Sequence, residues 1–205
     1  MESASVAVGH GADEHHGPPE ANQSSRIDRQ TLGILLFIVS EIMLFGAFFA
    51  SYFFLRVVAN EGPWPPDLFE LPVAVAGMNT AILVSSSFTM HWALESVRAG
   101  NRRGLQMGLL TTLLLGATFL FIQMNEYVHI GFSARDDAFG SIFYGLTGLH
   151  GAHVFIGLTL LLFVTIRAFR GHFTAEDHRG IEVPGIYWHF VDVMWIVVYV
   201  TVYIL

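Results

Sequence analysis

Residues 31–56 read TLGILLFIVSEIMLFGAFFASYFFLR, and Glu41 is the one charged side chain before Arg56. A run of this length and character crosses the hydrocarbon core of a bilayer, which takes about 20 helical residues. Four more apolar segments follow, at about 71–97, 105–129, 139–168 and 184–205. Lipid offers no hydrogen-bonding partner, so a spanning backbone must satisfy itself, and segments of this kind are helices. The predicted fold class is all-α: an integral membrane bundle of five transmembrane helices.

Composition agrees. Of 205 residues, 53% are hydrophobic and 13% charged, well below the charged fraction of about a quarter usual in soluble domains. Cysteine is absent, which excludes a disulfide framework, a thiolate metal site and a Cys nucleophile. The formal charge of -7 is mostly a property of the first 25 residues, where Glu2, Asp13, Glu14 and Glu20 stand without any Arg or Lys. Residues 1–25, which also hold His10, His15 and His16, are expected to be a disordered acidic, histidine-containing tail. They have no basic start followed by an apolar run, as a secretory signal would. Residues 26–205 are expected to form the membrane domain.

Breakers separate the segments: Glu61-Gly-Pro-Trp-Pro-Pro66, Arg98-Ala-Gly-Asn-Arg-Arg-Gly104, Gly131-Phe-Ser-Ala-Arg-Asp-Asp137 and Gly171-His172. If the helices alternate in direction, Arg26, Arg29, Arg98, Arg102, Arg103, Arg167, Arg170 and Arg179 fall at the end where the chain starts. Only Arg56 and Arg135 fall at the other. By the positive-inside rule the N-terminus is cytoplasmic and the C-terminus lies on the opposite side.

An ionisable group at membrane depth is costly and should face protein with a partner. Glu41 lies about mid-membrane and reads either as a proton-handling carboxylate or as a structural hydrogen-bonding group. His150 and His153 are spaced i, i+3 on the fourth helix, as are His189 and Asp192 on the fifth and Glu126 and His129 at the end of the third. Such pairs share a helix face. Glu126-x-x-His129 fits half of a di-iron motif, which in bundles needs two copies, and this sequence has one. Interhelical hydrogen bonding is therefore the favoured reading of these groups, with a metal site the lesser one. His91 and Glu95 are expected to make a local polar cluster. Gly145, Gly148 and Ala152 are expected to admit a neighbouring backbone. Trp64, Trp92, Tyr127, Tyr187 and Trp188 are placed near span ends, as interfacial anchors.

Tyr187-Trp-His-Phe-Val-Asp-Val-Met-Trp195, together with Thr147-Gly-Leu-His-Gly-Ala-His-Val154, Ser40-Glu41 and Gln123-Met-Asn-Glu-Tyr127, resembles the motif set of the cytochrome c oxidase subunit III family. The resemblance covers about residues 30 to 205. It implies an accessory subunit of a haem-copper terminal oxidase, in which O2 reduction to water is coupled to proton translocation. The subunit would be non-catalytic and carry no cofactor of its own. Haem and copper would sit in partner subunits, with catalytic subunit I and other oxidase subunits as its neighbours and cytochrome c or quinol as electron donor. No nucleic acid is implied.

Residue by residue, the resemblance assigns Glu41 a proton-related role and Arg167 contact with phospholipid phosphate. Glu126, His150, His153, His189 and Asp192 become a structural polar motif. The expected location is the inner (cytoplasmic) membrane of a bacterium, multi-pass. Two features depart from the mitochondrial pattern: that form has seven helices, of which only the last five are matched, and Ala50 stands where a lipid-contacting Trp is expected. Subunit III of a quinol oxidase or of a nitric oxide reductase-type complex is the alternative within the superfamily, and Glu41 in place of Asp favours the cytochrome c branch. Outside it, the alternatives are a stand-alone membrane metalloenzyme using Glu41, Glu126, His129, His150 and His153, or a small proton channel around Glu41.

Overall fold

A computed structural model describes residues 29–66, 69 and 71–205, so the expected tail at 1–25 lies outside the described residues. Five helices follow one another: α1 (Arg29–Phe54), α2 (Val73–Arg98), α3 (Arg102–His129), α4 (Ala138–Phe169) and α5 (Arg179–Tyr199). Single π-helical turns, Leu55–Ala59 and Val200–Ile204, prolong α1 and α5. All five are long and apolar enough to span a membrane, and the described residues contain no strand.

The punctuation read in the sequence sets the ends of the helices. Gly100, Gly131 and Gly171 follow α2, α3 and α4 with φ of 71°, 82° and 79°, a left-handed geometry that only glycine adopts without a steric penalty. Asn101 Oδ1 then caps α3 by accepting from Gly104 N at 3.0 Å, and Asp137 caps α4. The up-down alternation shows in contacts between ends. Arg102 at the start of α3 donates to Phe169 O at the end of α4 (2.8 Å), and Arg98 at the end of α2 pairs with Glu182 in the first turn of α5 (3.1 Å). At the opposite end Arg56 donates to Leu205 O.

One boundary differs from expectation. The fifth helix begins at Arg179, not near residue 184, and Pro184 sits inside it. The polar stretch before Pro184 reads as loop, yet Ile181 is fully buried, and packing that first turn into the core offsets the single backbone bond the proline removes.

The core is built on α5. The Trp188 ring lies where side chains on α3 and α4 would otherwise stand: a Cβ on Gly116 would come within 2.5 Å of it and one on Gly157 within 2.9 Å. Its Nε1 donates to Ser86 Oγ on α2 at 2.9 Å, so one side chain joins four helices. Trp188 and Tyr187 are thus core residues and not interfacial anchors, because with α5 starting at Arg179 they lie well inside the span. Trp92 is exposed, as an anchor is, while Trp64 tucks between Tyr52 and Phe139.

Elsewhere α2 and α3 meet closely, since a Cβ on Gly108 would lie 2.9 Å from Ala93 Cα. The expected small-residue contact on α4 is realised only at Gly145, against Phe48 of α1, whereas Gly148 has nothing within 4 Å and Ala152 is exposed. The helices differ in how far the chain covers them: 6% of the α1 span is buried and 56% of the α5 span. Consequently α1 presents Leu36, Val39, Ile42 and Met43 outward.

Candidate functional site

Glu41, ten or so residues into α1, finds its partner on α4: its Oε2 lies 2.8 Å from His153 Nε2. Both side chains are mostly enclosed, 15% exposed for Glu41 and 9% for His153. The other ring nitrogen, Nδ1, is 2.8 Å from Leu149 O, and since a carbonyl only accepts, Nδ1 must carry a proton. The Glu41–His153 contact therefore holds one shared proton. With the proton on Glu41 the pair is neutral; with it on Nε2 the pair is ionic. Phe45 packs over the imidazole at 5.1 Å between ring centres, and Tyr187 OH donates to His153 O at 3.2 Å. The first contact packs the ring against α1, and the second ties this turn of α4 to α5.

His150, one turn earlier, points deeper into the bundle. It is fully buried, with Trp195 at 4.7 Å and Phe119 at 5.8 Å between ring centres. The i, i+3 spacing thus places the two histidines on different interfaces: His153 toward α1, His150 toward α3 and α5.

His189 and Asp192 do come together, through Ser87 of α2. The Ser87 hydroxyl donates to Asp192 Oδ2, which commits its one proton, so the 3.0 Å contact with His189 is an Nδ1–H donation to Ser87 Oγ. Asp192 touches the hydroxyl directly and the histidine only across it, so this is not the order of a nucleophilic triad, in which the histidine stands between serine and acid. It works as a polar clamp between α2 and α5.

Glu126 and His129 separate. Glu126 is buried and its Oε1 accepts from Tyr203 OH at 2.6 Å. His129 is exposed and bonded to its own helix at Asn125 O. The five groups that a metalloenzyme would need are therefore divided among separate contacts, and among the described residues no three His, Asp or Glu side chains converge. Glu95 pairs with Arg98 at 2.9 Å in place of the expected contact with His91. Arg167 is exposed in the last turn of α4, its guanidinium over the Phe173 ring at 5.1 Å, a geometry that stacks the cation and leaves its edge available.

Sequence reasoning missed Ser86, Ser87 and Tyr203. The run Ser85-Ser86-Ser87 in mid-span was a usable signal, because hydroxyls at membrane depth need acceptors. Tyr203 gave none, since a tyrosine near the end of a span reads as an interfacial residue.

The family described as Cytochrome c oxidase subunit III matches residues 22–205. Cytochrome c oxidase subunit 3 of Thermostichus vulcanus is 42% identical over 179 residues, covering 87% of this chain and 88% of that protein. The Rattus norvegicus protein of the same name is 41% identical over 176 residues (83% of this chain, 67% of that one). The Loxodonta africana protein is 38% identical over 201 residues (96% and 75%).

Proposed function

The chain belongs to the cytochrome c oxidase subunit III family, and from that premise we propose that it is the accessory membrane subunit of a haem-copper oxidase that reduces O2 with electrons from cytochrome c. It is a multi-pass membrane protein whose relatives are parts of an oxidoreductase complex. In this reading it carries no redox centre, and haem and copper reside in the catalytic subunit beside it. Its N-terminus is cytoplasmic, in keeping with the arginines at that end of the bundle, and the membrane is a bacterial inner membrane.

The observation that carries the reading is the Glu41–His153 pair on the least covered helix. An isolated carboxyl at this depth is costly, yet here it shares a proton with an imidazole whose other nitrogen is fixed. Such a pair moves its proton between carboxyl and imidazole by a small shift within one hydrogen bond, and it exchanges that proton only with water or a group of the partner that reaches it. The outward apolar face of α1 supplies a surface for the catalytic subunit, and the pair supports sustained proton uptake there and protects the partner during turnover. Arg167, stacked on Phe173, holds a phospholipid phosphate, and the Ser87 clamp and the Glu126–Tyr203 bond keep the bundle in register.

The test is purification of the chain from its native membrane in mild detergent, followed by the visible haem spectrum and oxygen consumption. Co-purifying haem with respiration driven by reduced cytochrome c is the expected result. Respiration driven by quinol alone would move the chain to the quinol branch, and a colourless lone protein would overturn the proposal.

A further inference from the structure

The half of the bundle where α1, α3 and α5 finish contains buried polar groups that the contacts above do not use. Gln123 is fully buried with its amide against the Tyr127 and Tyr203 hydroxyls, too poorly aligned on them to satisfy both its oxygen and its nitrogen. Asn79 donates to Phe119 O at 3.1 Å while its Oδ1 is unbonded, and both nitrogens of His150 are unbonded. Glu126 Oε2 is buried and unbonded as well.

These groups lie on neighbouring turns of packed helices. Gln123 and Glu126 share a face of α3; Asn79 is bonded to the turn that carries Phe119, and Phe119 touches His150. Tyr127 OH donates to Thr147 Oγ1, one turn before His150, at 2.8 Å. Glu126 also lines a 340 Å³ pocket between the start of α2 and the end of α3, with Pro72, Val75, Asn125 and His129 around it. It therefore belongs both to the pocket and to the polar column within.

Buried polar groups in native proteins are hydrogen-bonded, and where protein groups do not serve, bound water does, making two to four bonds each. The column offers both donors (the Gln123 amide, a His150 N–H) and acceptors (Asn79 Oδ1, Gln123 Oε1, Glu126 Oε2), the mixture a water molecule needs. An apolar ligand would leave all of those groups unbonded, and a phosphate, which only accepts, would leave the acceptors so.

We propose that Glu126, Gln123, Asn79 and His150 form an internal water-binding site, entered past Glu126 from the pocket at the open ends of α2 and α3. The site joins a mid-bundle histidine to the solvent of that side and is separate from the Glu41–His153 pair, which lies on the α1 interface.

Three tryptophans provide the test. Trp92 is exposed; Trp188 and Trp195 are both fully buried, but Trp188 is walled by glycines and Trp195 stacks on His150. X-ray radiolysis of the purified complex in ¹⁸O-water, read by mass spectrometry, labels side chains next to bound water. Trp195 is expected to be labelled at a rate near that of Trp92 and several-fold faster than Trp188. Val75→Trp, which fills the pocket mouth, is expected to lower labelling of Trp195 alone. Trp195 as slow as Trp188 would overturn the site, as would equal fast labelling of both. Unchanged Trp195 labelling in a folded Val75→Trp complex would overturn the entry route, and the wild-type contrast decides the site itself even if that variant does not fold.

Discussion

Trp188 and Gly116 are so close that a Cβ on the glycine would lie 2.5 Å from the indole. The absence of a side chain at 116 is what lets α5 seat its largest residue against α3. Gly116→Ala or Gly157→Ala is therefore expected to destabilise the bundle by about 1–3 kcal/mol through overpacking. Gly148→Ala, where nothing lies within 4 Å, should change stability by less than about 0.5 kcal/mol. Thermal unfolding in detergent measures all three, and equal effects at 116 and 148 would contradict the wedge.

Ser87→Ala removes the hydroxyl that bridges His189 and Asp192. Asp192 is 3% exposed, so the loss should cost about 1–3 kcal/mol, the penalty for a buried polar group left without its partner. Ser85, exposed and bonded within its own helix, provides the control: Ser85→Ala should leave the unfolding temperature unchanged.

Tyr203→Phe breaks the 2.6 Å bond to Glu126 at the far end of α5. A loss of about 1–3 kcal/mol is expected on the same ground. Tyr199→Phe, whose hydroxyl makes a 3.4 Å bond to Val73 O, should be close to neutral in the same unfolding assay.

Arg167→Ala should reduce the amount of anionic phospholipid retained on the purified complex, and Arg167→Lys should restore it only partly, because an ammonium lacks the planar fork that pairs with phosphate and stacks on Phe173. Native mass spectrometry of the complex reads both. Full retention in Arg167→Ala would remove the arginine from the lipid site.

The five spans were legible because lipid imposes a simple rule on length and apolarity, and glycines at three joints supplied stop signals that survive in the structure. The depth of Glu41 was legible for the same reason. Its partner was not: His153 stands 112 positions away, and i, i+3 spacing grouped it with His150, whose contacts lie with α3 and α5. The start of α5 was obscured by Pro184 and by a polar first turn whose one decisive residue, Ile181, shows its burial only in the folded chain. Tyr187 and Trp188, near the supposed start of that helix, looked like anchors until the boundary moved.

In the proposed function, Glu41 and His153 share a proton that serves the neighbouring catalytic subunit. The most direct measurement is the oxygen consumption of the whole complex carrying Glu41→Gln, followed over many turnovers and paired with its haem spectrum. Full haem content, a near-normal initial rate and a markedly shorter working life are expected, because the amide can fill the hydrogen bond but cannot exchange the proton. Loss of haem at the outset, or a working life equal to that of the unmodified complex, would contradict it.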